Sequence, residues 1–350
     1  MRNEGLALLL CALPARGAEF YYLLHIPKTA GQSLYRDLPA TINCTHVLPR
    51  FGYARDTRRH LASRGRKHSK ANVRFAPDTY AGEMAGLLES EGYDRDGCNL
   101  YHAEGLWDIA DDLRTFNNAP ARVVTVLREP TTHVVSLYEH NRNSGFDTRR
   151  MTFTQKKQPT LEQWLRIALA RNTTQLGTQH NPLNMQTARL SARRGTIPRT
   201  SLGLYPRKGE LYRDELRADL ETALRRIESD AWFVGVTEYY REGLCLLREQ
   251  ALGRLPPECR CDDTAAKPRR RRRRLSVPLT ETHNRHHARY DDRPFTGAEL
   301  KLIGAATRLD RLVYGAALAR FTRQLLDAER RHNARILCRD GTSTLQLSRA

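Results

Sequence analysis

The stretch Tyr21–Leu38, YYLLHIPKTAGQSLYRDL, limits most strongly what the chain can fold into. An apolar run, Phe20–Leu24, predicts a buried strand, and a short polar loop follows it. Leu34 and Leu38 lie four residues apart, as on one face of a short helix, and we expect Pro39 to end that helix. The sequence therefore predicts a strand, a loop and a helix in direct succession.

The loop of this unit has the composition of a phosphate or sulfate site. The first amides of a helix point N–H groups and the positive end of the helix dipole at an anion. We expect Gly31 to let the backbone approach the anion and Lys28 to add a mobile positive charge. The residues predicted to bind the anion are Lys28, Thr29, Ala30, Gly31, Gln32 and Ser33. The loop is not a Walker A loop, in which the lysine follows the glycine.

A second unit of strand and helix follows at Ala121–Arg142. Val123–Leu127 is a largely β-branched run, which is typical of a buried strand. Arg128 ends this strand, and a Glu-Pro pair then opens a helix. Ser136 lies two turns into the helix, so Arg128 and Ser136 can converge on one anion. Both units place their polar residues at the carboxyl end of a strand, where open α/β sheets bind ligands.

Both units resemble segments of sulfotransferases that use 3'-phosphoadenylyl sulfate (PAPS). The order PKTAG, with a serine two residues on, resembles their 5'-phosphosulfate loop, and HIPKTAG is similar to that of Golgi glycan sulfotransferases. The R-[DE]-P segment followed by a helix with serine resembles their 3'-phosphate site. The resemblance implies an α/β fold, a P-loop-like three-layer sandwich with a central, mainly parallel sheet. It also implies PAPS as co-substrate, a catalytic Lys28, cofactor contacts from Arg128 and Ser136, and no metal.

Two further segments resemble heparan sulfate 6-O-sulfotransferases in particular. CNLYHAEGLWDIADDL, at Cys98–Leu113, is similar to their L-H-A-D-W-T-E-L segment, with Gly105-Leu106 inserted. In that family the matching histidine is the catalytic base, so the resemblance implies that His102 takes the proton of the acceptor hydroxyl. NPLNMQTARL, at Asn181–Leu190, resembles their N-x-R-Q-T-R-x-L stretch. The substrate-binding residues implied by these likenesses are Glu104, Trp107, Asn184, Gln186 and Thr187.

The remaining apolar patterns predict supporting architecture. We expect a helix over Leu161–Ala170 and a helix, a short strand at Trp232–Val236 and another helix within Ala223–Leu252. Apolar residues at helical spacing predict one long amphipathic helix over Gly297–Leu337. The W-F-x-G-[LV]-T-E core within Ala223–Leu252 resembles the same sulfotransferase family, and so does L-D-R-L-V-Y-G-A within Gly297–Leu337.

The net charge of the chain is +19, from 58 basic and 39 acidic residues among 350. A basic surface suits an acidic polymer, an anionic membrane or a nucleic acid, and composition does not choose among them. Two polar, basic insertions, near 53–74 and 256–294, predict solvated loops. We expect one sulfotransferase domain over residues 19–337, preceded by residues 1–18 and followed by a tail at 338–350.

Several features favour the secretory pathway, in the Golgi lumen or at its membrane. Residues 1–18 predict a signal peptide or a truncated anchor, and membrane association is expected only through such an anchor. The chain has seven cysteines, and loss of Cys11 with a signal peptide would leave six that an oxidising lumen could pair. Asn43 and Asn172 each begin a glycosylation sequon.

The sequence thus predicts sulfuryl transfer from PAPS to a glycan hydroxyl, at a 6-O position of a heparan-sulfate-like polysaccharide. The expected partner is an acidic polysaccharide or another glycan acceptor, and no nucleic acid. Three alternatives stay open. They are transfer to another carbohydrate hydroxyl such as a uronyl 2-O position, a nucleotide kinase or other phosphotransferase on a related fold, and a non-enzymatic polyanion-binding protein.

Overall fold

The computed structural model describes residues 19–44, 46–47, 97–103, 107, 110–111, 114, 121–143, 159–170, 181–191, 218–261 and 294–337. The first 18 residues, Glu104, the insertion near 53–74, most of the insertion near 256–294 and the tail lie outside the described residues. The described strands and helices are, in chain order, β1 (Glu19–Leu24), α1 (Gly31–Thr41), β2 (His46–Val47), β3 (Cys98–Ala103), β4 (Arg122–Leu127), α2 (Pro130–Asn143), α3 (Leu161–Leu169), α4 (Met185–Ser191), α5 (Leu220–Arg225), β5 (Phe233–Val236), α6 (Tyr240–Leu252), α7 (Gly297–Ala306) and α8 (Arg308–His332).

The described strands form one parallel sheet in the order β2-β3-β1-β4-β5, with the two-residue β2 at one edge. The fold is therefore α/β with a parallel central sheet, as the sequence predicts. The strands β2 and β3 lie on one side of β1 in the sheet, and β4 and β5 lie on its other side. Because β1 and β4 are neighbours, the loops that follow them flank the switch point of the sheet, where α/β proteins bind ligands.

Helices cover both faces of the sheet. Successive strand residues point to opposite faces, and β1 is buried on both. Tyr22 and Leu24 belong to one apolar cluster with residues of α4, α5 and α8. Tyr21 and Leu23 belong to a second cluster with residues of α1, α6 and α8. A third cluster, which includes Trp164, joins α2, α3 and α7.

The prediction that Pro39 ends α1 is wrong, because the helix continues through it to Thr41. A proline lacks an N–H donor and its ring crowds the carbonyl four residues earlier, but Pro39 lies in the last turn, where few further bonds are affected. Hydrogen bonds of the residues that follow Pro39 remain intact. The amide of Ile42 donates to the Leu38 carbonyl at 3.0 Å, and the Thr41 hydroxyl donates to the Asp37 carbonyl at 2.7 Å.

The predicted long helix over Gly297–Leu337 is also wrong in its continuity, since α7 and α8 are separate helices that meet at Thr307. The side chain and backbone of Asn184 occupy the junction. Its Oδ1 accepts from the Leu309 amide at 2.8 Å, and its own amide donates to the Ala306 carbonyl at 2.7 Å. Backbone groups that would continue one helix are therefore bonded to Asn184 instead.

Disulfides tie the described elements together. Cys44, just after α1, pairs with Cys98 at the start of β3, and Cys245 of α6 pairs with Cys259. Cys261 is also disulfide-bonded. In the described part of the chain no helix is long and apolar enough to cross a membrane, and no group of three or more His, Cys, Asp or Glu side chains could hold a metal ion.

Candidate active site

The loop after β1 is a tight turn that places Lys28 in a strained conformation. Both the amide and the hydroxyl of Thr29 donate to the Ile26 carbonyl, at 3.3 and 2.8 Å. Pro27 and Lys28 fill the central positions of this turn, and Lys28 has φ 68°. Ala30 has φ 66°. A residue other than glycine in this region costs about 1 kcal/mol or more, and such strain clusters at ligand sites.

The N-terminus of α1 carries amides that its N-cap residue does not bond. The N-cap is Ala30, whose side chain cannot accept a hydrogen bond, and the first turn contains no acidic residue. The amide of Leu34 makes the first intrahelical bond, to Ala30 at 3.0 Å. The amides of Gly31, Gln32 and Ser33 precede it, at the positive end of the helix dipole. This end of α1 has the chemistry of an anion site.

Gly31 is required by a close contact inside the protein. A Cβ atom at Gly31 would lie 1.8 Å from Cδ2 of His25 and 2.4 Å from its Nε2. The close approach of the Gly31 backbone to an anion stays a prediction, and the structure shows that the His25 ring occupies the space beside its Cα. The glycine thus lets His25 pack against the start of α1.

His25 in turn contacts His102. Leu23 of β1 is aligned with His102 of β3 in the parallel register, and His25 follows β1 directly. Nδ1 of His25 lies 3.0 Å from Nε2 of His102, which is hydrogen-bond distance. The ring of Tyr35 stacks on that of His102 with centroids 4.4 Å apart. His102 is 0% exposed and His25 is 3% exposed, so the pair is buried at the carboxyl edge of the sheet.

Arg128 joins the second unit to the loop after β1. Its Nη1–H donates to the Lys28 carbonyl at 3.3 Å, and its Nε–H donates to the hydroxyl of Thr132 at 3.2 Å. The Gln186 side chain makes two hydrogen bonds to the Arg128 backbone. It accepts from the amide and donates to the carbonyl, each at 2.9 Å. Two basic residues a hundred positions apart in sequence therefore meet at the switch point of the sheet.

The N-terminus of α2 is closed by the protein itself, in contrast to α1. The Glu129 carboxylate accepts from the amides of Thr131 and Thr132 at 2.9 and 2.8 Å. The amide of Glu129 donates to the carboxylate of Glu238 at 2.9 Å. The Glu-Pro pair thus opens α2 as predicted, and the start of α1 is the better anion site of the two.

His133 is a residue of this region that the sequence analysis missed. Its Nε2–H donates to the Pro27 carbonyl at 2.8 Å, so it fastens α2 to the strained turn. Burial, assisted by the charges of Arg128 and Lys28, lowers the pKa of His133 to about 4. The ring is therefore neutral near pH 7. The available signal was helical spacing, because His133 lies four residues before Leu137 on the inner face of α2.

Ser136 lies one turn beyond His133 on α2. Its side chain is buried, and its hydroxyl has no hydrogen-bond partner in the part of the chain that the structure describes. A buried hydroxyl without a partner costs about 1–3 kcal/mol, so such a group calls for a ligand or a functional reason. The shared contact of Ser136 and Arg128 with one anion stays a prediction.

Asn184, Gln186 and Thr187 make their hydrogen bonds within the protein. Gln186 and Thr187 are fully buried. The carboxylate of Asp310 accepts from the amide and hydroxyl of Thr187, at 2.8 and 2.7 Å, and from the Gln186 amide at 3.3 Å. Burial raises the pKa of Asp310 to about 6 against the effect of these bonds. The three residues support Arg128 and the α7–α8 junction, and contact with a substrate stays a prediction for them.

Trp107 is part of the core near the site. It belongs to the apolar cluster on the α4–α5 face of the sheet, and the Arg226 guanidinium lies 5.1 Å over its ring. A direct contact with an acceptor stays a prediction for this residue. Glu104 lies outside the described residues.

Comparisons with known proteins do not name a family. A scan against protein-family models finds no match, and a search of curated proteins finds none either. The motifs and the geometry around the switch point are therefore the grounds for a functional proposal.

Proposed function

We propose that this chain is a PAPS-dependent glycan sulfotransferase with a P-loop-like three-layer fold. One observation carries the proposal. The loop that resembles a 5'-phosphosulfate site and the arginine that resembles a 3'-phosphate ligand meet through the Arg128–Lys28 hydrogen bond. They do so at the switch point of a parallel sheet, where nucleotides bind in α/β proteins.

The residues present suit a donor with phosphate at both ends. Amides at the start of α1 and the charge of Lys28 would hold the 5'-phosphosulfate. The guanidinium of Arg128 and the buried hydroxyl of Ser136 would hold the 3'-phosphate, which gives that hydroxyl the partner it lacks in the described chain. A kinase requires no second anion site of this kind.

The reaction would be an in-line displacement at sulfur. The acceptor oxygen forms a bond to sulfur, the bond from sulfur to the 5'-phosphate oxygen breaks, and adenosine 3',5'-bisphosphate leaves with the electron pair. His102 would take the proton of the acceptor hydroxyl. Positioning and charge neutralisation supply most of the rate in such transfers. Because His102 is fully buried, the acceptor can reach it only after the residues that cover it move.

The acceptor class follows from charge and resemblance. A net charge of +19 suits an acidic polysaccharide, and the likeness of the His102 segment favours a 6-O position over a uronyl 2-O position. The disulfides agree with an oxidising compartment such as the Golgi lumen. No observation on the described residues favours nucleic-acid binding or another non-enzymatic function over sulfuryl transfer.

Transfer of radioactive sulfate tests the proposal. The chain would be incubated with PAPS labelled in its sulfuryl group and with desulfated heparin, chondroitin or dermatan. We expect labelled product from desulfated heparin, with the label at 6-O after digestion to disaccharides. Lys28→Ala should lower kcat by about 100-fold or more, since the charge it places on the leaving group acts in the transition state.

Lys301→Ala is the matched control, because Lys301 is an exposed lysine on α7. It should leave the rate unchanged. Wild-type protein that transfers no sulfate to any of the three acceptors, or a Lys28→Ala variant with full activity, would contradict the proposal. Binding of heparin without transfer would favour the polyanion-binding alternative.

A further inference from the structure

His25 and His102 form a buried pair of imidazoles whose chemistry is restricted by one short contact. The 3.0 Å distance joins Nδ1 of His25 to Nε2 of His102, so one proton lies between the two rings. Two arrangements of that proton exist when both rings are neutral. Either His102 donates through Nε2–H, or His25 donates through Nδ1–H.

Only one arrangement makes His102 a base. If His25 donates, the proton of neutral His102 resides on Nδ1, and both nitrogens of His102 are then unable to take a proton from an acceptor. If His102 donates through Nε2–H, its Nδ1 carries a lone pair and can accept a proton. The tautomer of His25 therefore decides whether His102 can do the chemistry.

The surroundings of the pair hold both rings in place. Its ring packs against Gly31, at the start of α1, where a Cβ atom would lie 2.4 Å from Nε2. The positive end of the helix dipole there disfavours an added positive charge beside Gly31. Tyr35 stacks on His102 and restricts the angle of its ring.

We propose that His25 is a positioning residue that accepts the Nε2–H of His102 and so keeps Nδ1 of His102 available as the base. This inference rests on the proposed function. When the acceptor hydroxyl loses its proton, that proton goes to Nδ1 of His102. The imidazolium that forms keeps its Nε2–H bonded to Nδ1 of His25, which stabilises the new charge with a charge-assisted hydrogen bond.

Nuclear magnetic resonance tests the arrangement without turnover. In protein labelled with ¹⁵N at histidine, two-bond correlations distinguish a protonated from an unprotonated ring nitrogen, and a His102→Asn variant assigns the signals. We expect wild-type His102 to carry its proton on Nε2. His25→Leu should populate both tautomers of His102. A wild-type His102 protonated on Nδ1 would overturn the proposal whatever the variants do.

Kinetics with two polar variants separate positioning from packing. Asn carries a polar atom on Cγ, as His carries Nδ1, whereas Gln carries it one atom further out. With PAPS and desulfated heparin, His25→Asn should stay within about threefold of the wild-type kcat. His25→Gln and His25→Leu should lose about 100-fold in kcat, since His102 loses both the partner that sets its tautomer and the hydrogen bond that stabilises its imidazolium, with KM within about threefold. Equal losses in all three variants would show a packing role and overturn the proposal.

Failure of the proposed function gives a different result. A chain that does not bind adenosine 3',5'-bisphosphate or use PAPS would show no turnover in any variant, while the tautomer of His102 in the wild type would still be measured. A sulfotransferase whose His102 tautomer is indifferent to His25 would keep the proposed function and lose this inference.

Discussion

At the scale of the residue, the site depends on tight contacts between side chains and backbone. His25 fills the space beside Gly31, His133 fastens α2 to the turn through Pro27, and Lys28 sits in a left-handed conformation. Each of these features fixes a group that the proposed function uses for anion binding or proton transfer. Two of them can be tested by stability measurements that need no substrate.

A methyl group at Gly31 should be poorly tolerated. In Gly31→Ala the new Cβ would lie 1.8 Å from the His25 ring, so the ring and α1 must shift. We expect a loss of about 1–3 kcal/mol in the free energy of unfolding, measured by urea denaturation. Gly315→Ala is the control, since no atom lies within 4 Å of its Cβ in α8, and it should be neutral or stabilising by up to about 1 kcal/mol. Equal effects in the two variants would contradict the contact.

His133 should make stability depend on pH between about 4 and 6.5. Its folded pKa of about 4 lies below the ordinary value of 6.5, so the unfolded chain binds the proton more tightly in this window. The free energy of unfolding is therefore not reduced by His133 above pH 6.5. It falls by about 3 kcal/mol as the pH decreases from 6.5 to about 4, because the unfolded chain takes up the proton first. Below pH 4 both states are protonated and no further loss follows.

The variant His133→Gln isolates this effect. Gln can keep the donor to the Pro27 carbonyl but does not titrate, and Asp310, which titrates in the opposite sense, is present in both proteins. The difference in unfolding free energy between wild type and variant should change by about 3 kcal/mol across the window. A difference that is flat with pH would show that His133 is not buried as a neutral ring.

At the scale of the element, helix α4 connects the last helix to the proposed donor site. Asp310 of α8 accepts from three groups at the start of α4, and Gln186 of α4 holds both backbone groups of Arg128. Arg128 thus receives its orientation from an element that follows it by more than fifty residues. The short helix acts as a support for the anion site.

Loss of the Gln186 amide should weaken both the fold and the donor site. Gln186→Met keeps the approximate volume but leaves the amide and carbonyl of Arg128 without these partners. We expect a loss of about 2 kcal/mol in the free energy of unfolding and about tenfold weaker binding of adenosine 3',5'-bisphosphate. Gln324→Met should leave the affinity unchanged and should not lower the free energy of unfolding, because the buried Oε1 of Gln324 lacks a hydrogen-bond partner in the described chain. A stable Gln186→Met variant with unchanged affinity would show that α4 does not orient Arg128.

The elements themselves could be predicted, whereas most contacts that build the site could not. The strands before His25 and before Arg128 are short apolar runs, and local pattern is enough to find them. The contacts of His102 with His25, His133 with Pro27 and Gln186 with Arg128 join residues 77, 106 and 58 positions apart. No periodicity encodes such pairs, because the parallel sheet brings them together. The predictions at Pro39 and Thr307 are wrong because hydrogen bonds decide where those helices end, local bonds at Pro39 and bonds to the distant Asn184 at Thr307.

At the scale of the whole molecule, the order of the strands brings together the two units that are predicted to bind anions. The loops after β1 and β4 lie side by side because these strands are neighbours, although a hundred residues separate them. The bond between Arg128 and the Lys28 carbonyl is the direct sign of that arrangement. One donor with two phosphate ends could then bind across both loops.

Titration calorimetry with adenosine 3',5'-bisphosphate tests this claim most directly. We expect the wild type to bind and Arg128→Ala to bind about 10–100-fold more weakly, as the loss of a charge-assisted phosphate contact predicts. Arg166→Ala is the matched control, because Arg166 is an exposed arginine paired only with Glu162 in its described salt bridge, and it should bind as the wild type does. No binding by folded wild-type protein, or equal affinity in wild type and Arg128→Ala, would contradict the account.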